Sequence, residues 1–176
     1  MTFKLKTYSL FLVVILWGTL LGGVTYSHLV YFPVYLSALP DSSVVVNGTY
    51  GLRDAVFWTR LHPVLILSLV ITLALNWKLK ARRGLIITTI AVYAAVLAAT
   101  FLYFVPELMA FQDSPNSAVS PAEWFERGQR WQIFSWIRGA AMYAAILPLL
   151  MALTNPEDGV LNSQDARYLR REFSGN

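Results

Sequence analysis

Residues 84–106 read GLIITTIAVYAAVLAATFLYFVP, with no charged side chain from Gly84 to Pro106. A helix that crosses a bilayer needs about 20 consecutive apolar residues, so this one stretch is long enough to span hydrocarbon. Three others have the same character: 9–32 (SLFLVVILWGTLLGGVTYSHLVYF), 56–77 (VFWTRLHPVLILSLVITLALNW) and 131–153 (WQIFSWIRGAAMYAAILPLLMAL). The chain has 176 residues, 56% of them hydrophobic and 14% charged, which is too apolar for a soluble domain of this size. The expected fold is all-α: a polytopic membrane protein forming one four-transmembrane-helix bundle over residues 1–176, with short connections.

Charge sets the expected orientation. Lys4, Lys6, Lys78, Lys80, Arg82, Arg83, Arg167, Arg170 and Arg171 all fall on one side of the four spans. The positive-inside bias places both termini and the KLKARR turn in the cytoplasm, with connections 33–55 and 107–130 facing outward. A multi-pass protein of the cell membrane is expected, and the basic isoelectric point reports topology rather than a nucleic-acid partner. The first apolar run exceeds a secretory signal core and is read as a retained helix. The tail from 165 to 173 reads as a short basic helix at the inner surface. Asn47-Gly48-Thr49 matches a glycosylation sequon in an outer connection.

The fourth span raises a question of charge. Arg138 ends RWQIFSWIR (130–138) and is followed by an uncharged apolar run. At 1.5 Å per residue it lies roughly 10 Å below the start of its span. His62 and the shallower Arg60 in the second span, His28 near the outer end of the first, and Glu107 at the end of the third share that depth. Helical spacing puts Thr89, Tyr93, Val96, Thr100, Tyr103 and Glu107 on one face of the third span. The fourth offers Trp131, Ser135, Arg138, Met142 and Ala145, and the first Leu21, Thr25, His28 and Tyr35. These faces are expected to meet. An arginine near mid-membrane costs about 2.5–3.5 kcal/mol on insertion scales, so an Arg138–Glu107 ion pair is expected, with Arg60 competing for the carboxylate.

The two histidines both fall within spans, and imidazole serves as general base, axial haem ligand, metal ligand or quinone partner. Candidate catalytic residues are therefore His28, His62 and Arg138, with Arg60, Glu107, Tyr103 and Trp131 as ligand-binding candidates. Two cofactor models are open beside a cofactor-free site. One is a b-type haem between His28 and His62, with arginines on the propionates. The other is a non-haem metal held by His28, His62 and Glu107. The absence of cysteine excludes disulfides, thiolate ligands, iron–sulfur clusters and c-type haem. No phosphate-binding glycine loop, HExxH or GxSxG motif is present.

Two local signals concern helix ends and packing. Ser120-Pro121-Ala122-Glu123 combines a capping serine, proline at the first helical position and glutamate three residues on, so a helix starts there. Gly18, Gly22 and Gly23 recur at the spacing that allows close helix approach, either inside the bundle or against a partner or second copy. The tryptophans and tyrosines near the outer ends read as an interfacial belt.

Trp131, Ser135 and Arg138, followed by an alanine- and leucine-rich helix, resemble the last span of the small four-helix membrane family that includes fungal anthrone oxygenases and many uncharacterised bacterial proteins. The glycines of the first span and Pro33 are similar in style. The likeness covers about a third of the chain, and it departs from the family at Ser135, where asparagine stands. It implies a four-helix bundle and, for some members, oxygenation of a planar polyphenol without a tightly held cofactor.

The expected function is binding of an apolar redox-active or aromatic ligand in an outward-facing intramembrane pocket, with oxidoreductase- or oxygenase-like chemistry. The competing readings are a non-catalytic accessory subunit or homo-oligomer, and a bis-histidine b-haem cytochrome.

Overall fold

The computed structural model describes residues 2–155. Four long apolar helices make up almost all of it: α1 (Lys4–Tyr35), α2 (Ala55–Asn76), α3 (Lys80–Gln112) and α4 (Pro121–Thr154). No strand occurs among the described residues. The chain is a multi-pass membrane protein folded as an all-helical bundle. Sequence neighbours run antiparallel, and α4 closes the ring by packing on both α3 and α1. The mid-bundle core gathers Val13, Trp17, Leu65, Tyr93, Met142 and Leu149, all buried. The basic tail expected at 165–173, with Arg167, Arg170 and Arg171, lies outside the described residues.

α2 falls within one residue of its expected bounds, whereas α3 and α4 are longer than their apolar runs. α3 continues through Pro106 to Gln112. α4 starts at Pro121, where the Ser120 hydroxyl accepts the Glu123 N–H at 3.2 Å, as the capping motif requires. The outer connections are tied together at Asn47, which donates its side-chain amide to the Gln112 carbonyl at 2.7 Å.

Two π-helical turns interrupt the bundle, Ser27–Tyr31 in α1 and Thr100–Phe104 in α3. Each ends two residues before a proline, Pro33 and Pro106. Proline offers no N–H to the carbonyl four residues back, and a wider turn rearranges the hydrogen bonds around that gap. The extra residue also rotates everything beyond it. In α3 the expected inward face holds for Thr89, Tyr93 and Val96, but past the turn Phe104 and Phe111 point inward while Tyr103 is only half-buried.

A third proline, Pro148, lies inside α4. The Trp17 indole donates to the Met142 carbonyl at 3.0 Å and Thr89 to the Ala145 carbonyl at 3.1 Å. Side-chain donors from neighbouring helices thus reach carbonyls on either side of Ala144, the one that Pro148 leaves without its N–H. At the opposite end Arg82 is buried and clasps the Asn155 carbonyl through Nε at 3.0 Å and Nη2 at 2.8 Å. One residue of the basic turn therefore caps α4 from below, where a cation suits the helix terminus.

The small-residue row divides. A Cβ on Gly23 would stand 2.6 Å from Phe57 and 3.1 Å from Trp58, so this glycine lets α2 aromatics press on α1. Gly18 and Gly22 have nothing within 4 Å. Gly23→Ala should cost about 1–2 kcal/mol by overpacking, while Gly18→Ala should stay within about 0.5 kcal/mol in the isolated chain. Reversible unfolding in bicelles checks both.

Candidate functional site

The polar residues at common depth assemble around α4, though not as the ion pair expected. His28 sits on the first π turn and is buried, with its ring against Trp136 and Phe32. Its Nδ1 lies 2.7 Å from the Val24 carbonyl. A carbonyl only accepts, so Nδ1 carries the proton. Nε2 is then left to accept the hydroxyl proton of Ser135 at 2.9 Å. Ser135 Oγ in turn accepts from Arg138 Nη2, also at 2.9 Å. Arg138 Nη1 donates to Thr100 Oγ1 at 3.1 Å, and Thr100 stands on the second π turn. The guanidinium carbon lies 4.0 Å from the centre of the Phe104 ring, a cation–π contact.

Arg138 therefore has two hydroxyls and an aromatic face where a carboxylate was expected. Glu107 pairs instead with Arg127, whose Nη2 and Nε reach one carboxylate oxygen at 2.9 Å and 3.2 Å. The reason is the added length of both helices: extension of α3 past Pro106 and the start of α4 at Pro121 bring Glu107 and Arg127 side by side at the bundle end. Arg127 also lies 4.4 Å from the Trp124 ring centre. Arg60, the expected competitor, is exposed on α2 and joins neither pair.

His62 belongs to a second group. Its Nδ1 is hydrogen-bonded to the Tyr93 hydroxyl, its ring stacks on Trp58, and Tyr93 meets Trp17 edge-on at 5.2 Å between ring centres. Among the described residues Nε2 of His62 makes no hydrogen bond.

These positions bear on the two cofactor models only through the placement of their candidate ligands. No three histidine or acidic side chains gather into a metal site among the described residues, so His28, His62 and Glu107 do not form a ligand set. Both ring nitrogens of His28 are hydrogen-bonded, one to the Val24 carbonyl and one to Ser135. Trp131 braces the site: its buried indole donates to the Phe104 carbonyl at 3.1 Å, inside the second π turn. Trp124 is also buried, so these two tryptophans are core residues rather than part of a belt. Tyr103 packs on Phe104 and Phe134 and takes no part in the hydrogen-bonded chain. Neither of two open grooves at the same end of the bundle is lined by His28, His62, Glu107 or Arg138.

Ser135 and Thr100 were legible as members of inward rows, but only the structure makes them the partners of Arg138. Asp54, just before α2, is a further polar group at this end of the bundle. Burial pushes its carboxyl above the usual carboxylate range. The folded state then holds this proton more tightly than the unfolded state, so stability falls as pH rises from the ordinary carboxylate value through the raised one. Asp54→Asn should be more stable than the parent at neutral pH, with the advantage vanishing in acid; unfolding midpoints across pH check this.

Compared with protein-family models, curated proteins and solved structures, the chain matches none.

Proposed function

We propose that this protein binds an apolar aromatic ligand bearing an acidic or quinoid oxygen, which Arg138 receives within the membrane. The observation that supports this is the position of Arg138 in its network. Ser135 can give its proton to His28, and Thr100 also bonds the Val96 carbonyl at 2.7 Å. Both hydroxyls therefore keep a partner without the guanidinium. The fold carries a costly intramembrane cation that its neighbours do not need, and such residues mark ligand or ion sites. Both helices that flank α4 at this level are wound as π turns, a feature recurrent at functional sites.

In this reading Arg138 holds a phenolate-like oxygen, and Ser135, Thr100 and His28 fix the direction of the guanidinium. His28 orients, since both its nitrogens are engaged; His62, with Nε2 unengaged, is the histidine able to exchange a proton with the ligand. The resemblance of α4 to the anthrone-oxygenase-like family supports a planar polyphenol as ligand class and oxygenation as the reaction. The positive-inside bias supports a site in the outer half of the cell membrane.

The test uses the full chain in nanodiscs, titrated with 1,8-dihydroxyanthraquinone and with anthracene, which lacks the oxygens. Saturable quenching of tryptophan fluorescence by the first compound alone, with a red shift of its absorption toward the phenolate band, is the expected result. Equal behaviour of the two compounds would overturn the reading.

A second reading rests on a separate observation, the open faces of Gly18 and Gly22 on α1. It makes the chain a subunit that seats a partner or a second copy there. It requires Gly18→Ile to change the mass of the assembly in native mass spectrometry, an effect a ligand-binding monomer would not show.

A further inference from the structure

Arg53 and Arg60 stand at the N-terminal end of α2, both exposed, and neither side chain makes a hydrogen bond or ion pair among the described residues. They line one groove of about 540 Å³ together with Val56, Phe57, Leu61 and Val64. Asp54 does not line it. One wall is set by Gly23, whose missing side chain leaves room for the Phe57 ring. Below the groove the same flank of α2 continues as exposed apolar surface through Leu67 and Ile71.

This is a surface with two kinds of affinity at two depths. Two unpaired guanidinia near the water interface attract an anion, and Arg side chains at helix ends reach for headgroups. The apolar track beneath them has no use for a small soluble anion but matches an acyl chain lying along the helix. A neutral apolar ligand, conversely, would leave both arginines idle. We propose that the groove binds an anionic phospholipid, its phosphate bridging Arg53 and Arg60 and one acyl chain following Val56, Val64 and Leu67. The site is separate from Arg138 and does not depend on the reading given to it.

Calorimetric titration of the full chain in detergent with dihexanoyl phosphatidylglycerol and dihexanoyl phosphatidylcholine tests this. The anionic lipid should bind more tightly, with each arginine contributing roughly fivefold. The double variant Arg53→Gln with Arg60→Gln should abolish the preference, the double lysine variant should retain most of it, and Arg130→Gln on α4 should leave it intact. Persistence of the preference in the double glutamine variant would overturn the proposal. So would equally tight binding of glycerophosphoglycerol or inorganic phosphate, since the site would then recognise a free anion and the acyl track would be idle.

Discussion

Arg138→Met should lose about 10- to 100-fold in affinity for 1,8-dihydroxyanthraquinone, the worth of one charge-assisted hydrogen bond of about 1.5–3 kcal/mol. The same substitution should leave the ligand-free protein as stable as its parent or more so. The two halves of this prediction share one origin. Removing the guanidinium strands no polar atom, because Ser135 retains His28 and Thr100 retains the Val96 carbonyl. It also removes a cation whose insertion costs about 2.5–3.5 kcal/mol and puts a side chain of similar length against Phe104. A residue retained only to lock helix register would behave in the opposite way, losing stability with nothing to bind. Arg138→Lys should fall between parent and methionine variant in affinity, since a single ammonium cannot reproduce the planar fork that reaches Ser135 and Thr100 together.

Ser135→Ala should be the most destabilising small change in the bundle, at about 2–4 kcal/mol. One hydroxyl there serves two partners, accepting from Arg138 Nη2 and donating to His28 Nε2, both at 2.9 Å. Interhelical hydrogen bonds in membranes average only about 0.6 kcal/mol, with a maximum near 1.7. Here, however, the alanine leaves both a fully buried imidazole nitrogen and a guanidinium N–H unsatisfied, and each such group costs about 1–3 kcal/mol. Ser135→Thr keeps the hydroxyl and should recover most of the loss. Steric trapping or detergent-driven unfolding reads the difference, and a loss below about 0.5 kcal/mol would show that the network is slack.

Both predictions turn on contacts that the sequence reveals unevenly. The spans are legible because a bilayer demands long apolar runs, and the inward row Trp131, Ser135, Met142 and Ala145 is legible because an uninterrupted helix keeps its period. The same logic fails past Thr100. A π turn inserts a residue into the phase, so Tyr103 leaves the interior and Phe104 and Phe111 enter it. Pro106 and Pro33 were the visible signals, each just downstream of an aromatic residue and a π turn.

The partner of Arg138 is hidden from the sequence for a related reason. Hydropathy marks where hydrocarbon ends, whereas helices continue into the interface. With α3 ending at Gln112 and α4 starting at Pro121, Arg127 becomes the neighbour of Glu107, although both had been placed beyond or at the edge of the apolar runs. Arg82 illustrates the opposite limit: a charge that orients the chain by its sign also caps α4 through the Asn155 carbonyl, a role that only tertiary contact discloses.

Whether Arg138 is held for a ligand or for the fold is read directly from the bound spectrum of 1,8-dihydroxyanthraquinone. In nanodiscs containing the parent protein, the dye should show a red-shifted, phenolate-like band that saturates, and the Arg138→Met protein should leave the band where free dye has it. An identical red shift in both proteins would contradict the account and return Arg138 to the role of a structural cation.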